Sequence, residues 1–319
     1  MPEAEFNPLD HPICLAPPEY LSPVVAWSEH LPFAFALIDL CRPGTIVELG
    51  THYGNSYLAF CQAVATLRLD TRCHAVDTWQ GDVHAGQYDG DAVLQHLRAH
   101  HDPRYGRFSR LLRQTFDSAA AAFGDGSVDL LHIDGLHTYE AVRHDFETWL
   151  PKLSSRGVVL FHDTQVRERE FGVWRLWAEL APRYPSFEFS HGHGLGILAV
   201  GPDAPPELLH LLRLPADRAE TVRLFFHRLG HLWLDRHLAG LAAGHAATQI
   251  AGQEAALADR AAQLADLASQ LDAERIRFAH LAAESAEHQA RVARMRASFS
   301  WRCTAPLRAL RRVGQRLFG

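Results

Sequence analysis

"VDLLHIDGLHTYEAVRHDF", residues 128–146, is the stretch that decides how this chain folds. An apolar run ends at Asp134, Gly135 follows, and His137 stands just before a segment with helical spacing. A strand that is apolar on both faces is typical of a sheet covered by helices on both sides. A carboxylate at the end of such a strand is either a polar turn residue or part of a binding site, and the neighbouring strands decide between these interpretations.

The same pattern recurs through residues 45–201, where short apolar runs alternate with helical segments. This alternation predicts a mostly parallel sheet with helices on both faces, closed by an antiparallel hairpin. The predicted strands are 45–50, 73–77, 107–114, 128–134, 157–163, 187–190 and 195–201. Because ligands of such sheets bind beyond the carboxyl ends of the strands, the residues directly after each strand are the candidates for a site.

The composition limits the class of protein. Hydrophobic residues make up 47% of the 319 residues and charged residues 21%, which is ordinary for a soluble globular protein. The net charge of −6 argues against a nucleic-acid partner. The five cysteines form no C-x-x-C pair, which suits a reducing compartment, and no run approaches the roughly 20 apolar residues of a membrane span. We therefore expect a cytoplasmic protein.

Glycines and an acid follow the first two strands. Gly50 and Gly54 allow a sharp turn and the close approach of a ligand before the next helix. Asp77, at the end of the second strand, can accept both hydroxyls of a ribose, or it can simply cap a turn. Together the two features favour a nucleotide-like ligand.

Acids and imidazoles follow the fourth and fifth strands. If these strands are neighbours, Asp134, His162 and Asp163 converge, and two close carboxylates repel each other unless a proton or cation lies between them. This ligand set suits a hard or borderline divalent cation, although His162 and Asp163 could instead satisfy loop amides. His137 is a candidate general base, since its pKa lies near working pH. The candidate contacts of an acceptor are Trp79, His84, His191 and His193.

The composition changes after Gly201. Five apolar residues then lie seven apart, which predicts a self-associating coiled coil or a single amphipathic helix docked on the domain. They are Ile250, Leu257, Leu264, Leu271 and Phe278. From Arg291 onward every charged residue is an arginine, so residues 298–319 form a basic amphipathic tail that either lies on anionic lipid or is merely a soluble basic end.

The chain resembles the class I S-adenosylmethionine-dependent methyltransferases, and within them the metal-dependent catechol- and sugar-O-methyltransferase group. The segments that carry the resemblance are "VELGTHYGNS", "AVDTW", "FDS", "VDLLHIDGLHTYEAVRHDFETWLPKL" and "GVVLFHDT". It covers roughly residues 20–201 and implies an α/β, Rossmann-like methyltransferase fold with a mostly parallel seven-stranded sheet. With the change in composition after Gly201, we expect a C-terminal helical or coiled-coil extension to follow this domain. The expected divisions are an N-terminal extension 1–19, a methyltransferase domain 20–201, a helical extension 202–247, a coiled coil 248–297 and the tail 298–319.

The resemblance also implies roles for individual residues. S-adenosylmethionine would be held around its methionine part by the loop after the first strand, at its ribose by Asp77, and along its adenine by Asp117 and Ser118. The loop residues are Glu48, Gly50, Thr51, Gly54 and Ser56. A divalent metal, usually Mg, would be bound by Asp134, His162 and Asp163, with His137 as the catalytic base.

Two departures leave alternatives open. His52 replaces the middle glycine of the common loop, and His162 stands where an acid is usual, which leaves Mn, Fe or no metal as alternatives to Mg. A site of two carboxylates and one imidazole also fits an iron-dependent hydroxylase related to this group.

The tail segment "SFSWRCTAPLR" is similar to the ends of proteins from bacterial polysaccharide gene clusters. It implies polysaccharide biosynthesis, with a small-molecule or glycan acceptor and a glycosyltransferase partner. We expect a homo-oligomer formed through the coiled coil and peripheral contact with the inner membrane face. A non-catalytic scaffold for a glycosyltransferase is the third hypothesis.

Overall fold

The computed structural model describes residues 5–318, with side chains through residue 311. The start of the predicted N-terminal extension, residues 1–4, lies outside the described residues, as do Gly319 and the side chains of Arg312 and Arg316 in the predicted tail. The chain divides into two compact units, residues 1–241 and 242–319.

The first unit is built on a seven-stranded sheet with the order β3-β2-β1-β4-β5-β7-β6. All neighbouring strands are parallel except β7, which runs antiparallel to both β5 and β6. The strands are β1 (Thr45–Leu49), β2 (Arg72–Asp77), β3 (Ser109–Arg113), β4 (Val128–Ile133), β5 (Leu153–His162), β6 (Ser186–Phe189) and β7 (Leu195–Ala199). The predicted fold class is confirmed, including the closing antiparallel hairpin.

Helices cover both faces of the sheet. They are α1 (Leu31–Cys41), α2 (Asn55–Thr66), α3 (Gly90–Tyr105), α4 (Phe116–Ala120), α5 (Tyr139–Trp149), α6 (Val173–Leu180), α7 (Pro206–Leu212), α8 (Ala216–Ala297), α9 (Phe299–Cys303) and α10 (Ala305–Phe318). Leu130 packs into a core with α1, α2 and α7, whereas its neighbour Leu131 packs into a second core with α5 and α6. Because alternate residues enter different cores, the strands are apolar throughout.

The site lies where the strand order reverses. β1 is flanked by β2 on one side and β4 on the other, so the loops after β1 and β4 diverge from adjacent strands. The Gly50 amide donates to the Val76 carbonyl at 2.9 Å, and the Asp134 amide donates to the Leu49 carbonyl at 2.8 Å. These bonds hold the first residues after β1 and β4 side by side at the edge where such folds bind ligands.

The first unit extends beyond the predicted methyltransferase domain at both ends. Phe6 and Cys14, from the predicted N-terminal extension, and Leu208 and Phe226, from the predicted helical extension, are buried in the core beside α1. Strand β5 also begins at Leu153, four residues earlier than predicted, because its first residue pairs with Val128 before the register shifts. The sequence resemblance reached only from about residue 20 to residue 201, so it did not place Phe6, Cys14, Leu208 or Phe226 in the core.

A single helix spans the predicted boundary at residues 247–248. α8 runs from Ala216 to Ala297 with no proline to interrupt it. In the second unit the described side chains of residues 242–300 are all exposed, and Ser298 caps α9 by accepting a hydrogen bond from the Trp301 amide. In the described part of the chain, no helix combines the length and the apolar run that crossing a bilayer requires.

Candidate functional site

A cavity of about 1030 Å³ opens at the carboxyl ends of β1, β2, β4 and β5. Its walls come from the loops that follow these strands, from the start of α4 and from His193 in the hairpin loop. The predicted site residues that line it are Gly50, Thr51, Gly54, Ser56, Asp77, Asp134, His137, His162 and Asp163. The structure therefore brings together nine of the twelve residues chosen from the sequence.

The bend after β1 requires glycine at two positions. Gly50 has a φ of +87°, and a Cβ there would stand 2.1 Å from the Asp134 carbonyl oxygen. Gly54 has a φ of +84°, and a Cβ there would stand 2.6 Å from a methyl carbon of Leu97. These backbone angles belong to the left-handed region that glycine adopts freely. The bend lets the loop run against β4 and leaves the Thr51 hydroxyl buried with no hydrogen-bond partner among the described residues.

Asp77 organises this loop with its carboxylate. Its Oδ2 accepts hydrogen bonds from the amides of Thr51 and His52 at 2.9 and 2.8 Å, and its Oδ1 accepts one from the Trp79 amide at 2.6 Å. A carboxylate has about four lone-pair sites, two on each oxygen, so these three bonds leave one site, on Oδ1, for a ligand. Asp77 thus combines the two roles weighed from the sequence: it fixes a turn and it faces the cavity.

Glu48 is fully buried beneath the loop and does not line the cavity. Its Oε2 lies 2.8 Å from Nδ1 of the buried His132, whose Nε2 accepts a hydrogen bond from the Trp27 indole at 3.3 Å. Burial raises the pKa of Glu48, while the hydrogen bond from His132 lowers it. Glu48 therefore supports the loop from below and is not placed to touch a ligand in the cavity.

Asp117 and Ser118 are exposed and do not line the cavity. Asp117 instead lies 2.8 Å from Nε2 of the exposed His144. Thr115 and Phe116, two residues earlier, line the cavity in their place. The Thr115 side chain caps α4 by accepting from the Ser118 amide. A threonine directly before a helix was the sequence signal that could have shifted this assignment.

Asp134, His162 and Asp163 form a compact cluster, with one donor atom of each within 4.8 Å of the others. His162 Nδ1 lies 3.3 Å from Asp134 Oδ1 and 3.5 Å from Asp163 Oδ2. His137 Nε2 completes the group, at 3.3 Å from Asp134 Oδ1 and 2.9 Å from Asp163 Oδ2. Asp163 adopts a φ of 62°, a left-handed conformation that aspartate tolerates better than most residues.

The proton position on His162 shows what this cluster needs. Nε2 of His162 donates to the Gly192 carbonyl at 3.0 Å, so in the neutral ring Nδ1 carries a lone pair. That lone pair would point at two carboxylates. The arrangement is favourable only if His162 is protonated or if a cation lies between the three groups. A backbone carbonyl that orients the second ring nitrogen is also the usual outer contact of a histidine that binds a metal.

The charges of the cluster shift every pKa within it. Burial lowers the pKa of His162, but Asp134 and Asp163 raise it by more than burial lowers it. The pKa of His162 therefore lies well above its usual value. His137 behaves in the same way, and the hydrogen bonds to the two carboxylates bring its pKa to about 9. The pKa of Asp134 and that of Asp163 are lowered, because the adjacent imidazoles outweigh burial. The protein alone therefore balances two carboxylates with two protonated imidazoles.

His137 is held by aromatic rings as well as by acids. Phe171 stacks on it, with ring centroids 4.6 Å apart and planes 5° apart, and His84 lies at 5.5 Å with a tilt of 37°. The sequence analysis missed Phe171, because it lies in the long loop after β5 and no strand or helix pattern points to it. Phe171 and His84 fix the ring of His137 at the mouth of the cavity.

The other candidate contacts separate into two groups. His84 and His193 line the cavity, and His193 Nδ1 lies 3.3 Å from Asp163 Oδ1. Trp79 is buried and donates from its indole nitrogen to the His52 carbonyl at 3.0 Å, so it is a support of the loop. His191 lies outside the cavity lining, and burial lowers its pKa to about 4.

The strand order, the glycine bend and the acid after β2 are those of a Rossmann-like methyltransferase fold. Residues 47–164 match the family model described as a methyltransferase domain, and this region includes every cavity residue named above from β1 through Asp163.

Sequence and structure comparisons identify similar proteins. A protein of Sinorhizobium fredii described as "Uncharacterized protein y4gI" is 54% identical over 203 residues, which is 64% of this chain but 22% of that protein. This chain therefore spans about a fifth of that relative. Two solved structures are similar: a methyltransferase from Geobacter sulfurreducens (17% identity, 56% of this chain and 90% of that chain, TM-score 0.41) and the O-methyltransferase TomG from Streptomyces achromogenes (15%, 63% and 99%, TM-score 0.42).

Proposed function

We propose that the protein transfers a methyl group from S-adenosylmethionine to a hydroxyl of a sugar, glycolipid or polysaccharide precursor. One observation carries the proposal: the glycine bend lines the same cavity as the cluster of Asp134, His137, His162 and Asp163. A cofactor region and an acid–base region therefore open into the same space.

The cofactor region fits the methionine and ribose parts of S-adenosylmethionine. The Thr51 hydroxyl, buried without a hydrogen-bond partner among the described residues, is available to a ligand, and Asp77 retains one acceptor site on Oδ1 for a ribose hydroxyl. Thr115 and Phe116 offer the border for adenine that the sequence analysis placed at Asp117 and Ser118. When bound, S-adenosylmethionine supplies a methyl group on a positively charged sulfur.

The acid cluster fits a divalent metal. Asp134 and Asp163 would provide oxygen ligands and His162 a nitrogen ligand through Nδ1, with Gly192 holding the ring in the required tautomer. This donor set accepts Mg and also the more borderline Mn and Fe. When bound, such a cation supplies Lewis acidity that lowers the pKa of an alcohol.

His137 is the group that would take the proton of the acceptor hydroxyl. A cation held by Asp134 and Asp163 would lower the pKa that these carboxylates raise and favour the neutral ring. Nε2 of that ring would donate to the carboxylates, which stabilise the imidazolium that forms when Nδ1 accepts a proton. Phe171 holds the ring plane, so the nitrogen keeps its direction during the transfer. The rest of the catalysis is positioning, which can lower a barrier by roughly 7–11 kcal/mol in well-oriented systems.

Two features support a glycan acceptor. The acceptor side of the cavity is polar, with His84, Gln165, Arg167 and His193 in its lining, which suits a polyhydroxylated molecule. The tail segment "SFSWRCTAPLR" is similar to the ends of polysaccharide-cluster proteins.

Calorimetry and mass spectrometry test the proposal. The purified chain should bind S-adenosylmethionine in titration calorimetry, and incubation with a panel of deoxysugar nucleotides should add the mass of one methylene group to an acceptor. Absence of S-adenosylmethionine binding rules the proposal out. If the product instead gains the mass of one oxygen atom, the hydroxylase hypothesis replaces it, since His162 gives the site the two-carboxylate, one-imidazole ligand set of an iron oxygenase.

We also propose that the second unit mediates association. The five heptad residues are 55–74% exposed in the described structure, an apolar series that a second copy of α8 would cover. The arginine-rich tail supports contact with anionic lipid at the inner membrane face, and the tail similarity supports a glycosyltransferase partner. These roles are compatible with catalysis and with the scaffold hypothesis alike.

A further inference from the structure

A second group of metal-binding side chains lies in the first unit, outside the cavity lining. Glu29, in the 3₁₀ turn Ser28–His30, meets His227 and His231 of α8, and one donor atom of each lies within 4.8 Å of the others. We propose that these three residues form a zinc site that fastens the N-terminal part of α8 to the turn before α1. The proposal does not depend on the methyl-transfer activity.

The backbone brings the three side chains together through Gly230. A Cβ at Gly230 would lie 2.0 Å from the Glu29 carbonyl oxygen, so only glycine lets α8 approach the turn so closely. Phe226, one turn earlier, is fully buried against Phe33 of α1 with ring centroids 5.4 Å apart. The helix is therefore anchored on both sides of His227, and its register relative to Glu29 is fixed.

The spacing of the histidines is the one that zinc sites on helices use. His227 and His231 are four residues apart, which places both rings on one face of α8. His231 Nδ1 lies 3.1 Å from Glu29 Oε1, and His227 Nε2 lies 3.4 Å from the same oxygen. Ligands about 2.05 Å from a tetrahedral zinc ion stand roughly 3.3 Å apart, so the observed separations match the edges of such a site.

The outer contacts of the two rings also resemble those of metal ligands. With Nδ1 of His231 turned to Glu29, its Nε2 lies 3.6 Å from Asp235 Oδ1, a carboxylate that can orient the ring. His227 stacks on His191, with centroids 4.7 Å apart and planes 13° apart. Two imidazoles and one carboxylate favour zinc over magnesium, and because the His227 and His231 side chains are 45% and 55% exposed, water can reach a fourth position.

Zinc bound here would brace the surroundings of the cavity. The turn that carries Glu29 also carries His30, whose Nε2 lies 3.0 Å from the Gly192 carbonyl. That carbonyl also holds His162, and His191 of the same loop stacks on His227. A metal on Glu29 and His227 would therefore stiffen both sides of the loop that orients His162.

Zinc binding by the metal-free 319-residue chain tests the site. Zinc chloride alone is the probe, bound zinc is counted after equilibrium dialysis, and thermal melting is followed with and without zinc. The cluster of Asp134, His162 and Asp163 could also bind zinc, so the variants are compared in an Asp163→Asn background. There we expect one zinc per chain and a higher melting temperature with zinc, and both effects should disappear in H227A/H231A.

Two further variants complete the design. Glu29→Gln keeps the shape of the side chain and should weaken zinc binding at least tenfold. This variant tests the site even if the H227A/H231A variant does not fold. His245→Ala removes an exposed histidine of α8 in the second unit and should leave zinc binding unchanged. The proposal is overturned if H227A/H231A and E29Q, in the Asp163→Asn background, bind as much zinc as their parent with the same affinity.

Discussion

Nδ1 of His162 lies 3.3 Å from Oδ1 of Asp134, while Gly192 accepts the hydrogen bond from the opposite ring nitrogen. In a neutral His162 ring, these two contacts would point the lone pair of Nδ1 at the Asp134 carboxylate. A proton on Nδ1, or a metal ion between the two groups, removes this repulsion. Asp163 adds a second carboxylate to the same nitrogen at 3.5 Å. The cluster is therefore built to hold positive charge, and the identity of that charge decides the chemistry of the cavity.

Replacing one carboxylate tests whether a metal provides this charge. Asp163→Asn preserves the size of the side chain, and asparagine tolerates the left-handed φ of 62° at this position. The change removes the negative charge of one of the proposed metal ligands. We therefore expect at least a hundredfold loss of methyl transfer with little change in S-adenosylmethionine affinity. Initial rates at saturating cofactor and titration calorimetry separate the two quantities.

The control for this variant is Asp125→Asn. Asp125 is an exposed acid that pairs with Lys152 and does not line the cavity, so its loss should leave the rate unchanged. Full activity of Asp163→Asn in the presence of a chelator would show that the cavity works without a metal at this position.

The glycine bend provides a second prediction. Gly50→Ala would place a methyl group 2.1 Å from the Asp134 carbonyl oxygen at a φ of +87°, so both the backbone angle and the contact oppose it. We expect a loss of unfolding free energy of about 2 kcal/mol or more and much weaker cofactor binding. Urea unfolding and titration calorimetry measure the two effects.

Gly124→Ala is the matched control for the bend. A Cβ at Gly124 meets nothing within 4 Å, and its φ lies outside the left-handed region, so its unfolding free energy should change by less than about 1 kcal/mol. Equal effects of the two substitutions would mean that the bend is less constrained than the contacts indicate.

A buried acid next to the cavity predicts a pH dependence of stability. Burial raises the pKa of Asp145 in α5 from 3.8 to about 7. Since the folded pKa is higher than the unfolded one, the native state prefers the protonated acid. The stability that this preference provides is full below about pH 4 and is lost as the pH rises to about 7.

Asp145→Asn removes this pH-dependent loss. Relative to the original protein, the variant should gain little at pH 4 and most above pH 7, with roughly 4 kcal/mol as the upper limit set by the size of the shift. Urea unfolding at several pH values measures the difference. A gain that does not vary with pH would assign the effect to packing instead of ionisation.

Part of this architecture could be predicted from the sequence for a clear physical reason. Strands covered on both faces are continuous apolar runs, so their ends are sharply marked, and the acids that follow them could be assigned to one edge. Asp77, Asp134 and Asp163 all lie on the cavity for this reason. The alternation of strands and helices predicted a mostly parallel sheet, but it left open which strands are neighbours.

Other features depend on contacts that no local pattern records. Glu48 belongs to an apolar strand and turns to the buried His132, so its position in the loop motif did not reveal that it lies beneath the cavity. Asp117 was predicted to border the adenine, but α4 begins with its cap at Thr115 and leaves Asp117 outside the cavity lining. Phe171 and Gly192 reach the cluster from loops, whose paths are set by tertiary packing.

The heptad series of α8 provides the last prediction. Leu264 and Leu271 are 67% and 58% exposed, and they lie on the face that a second copy of the helix would cover in a coiled coil. Leu264→Glu with Leu271→Glu places charges in that seam, so the 319-residue chain should change from an oligomer to a monomer in light scattering. Ala262→Glu with Ser269→Glu adds the same charges on the opposite side of the helix and should leave the oligomer intact. Because these residues belong to the second unit, methyl transfer should be unchanged in both variants. A wild-type protein that is monomeric at micromolar concentration would remove the basis for a coiled coil and would leave the apolar series to a different partner.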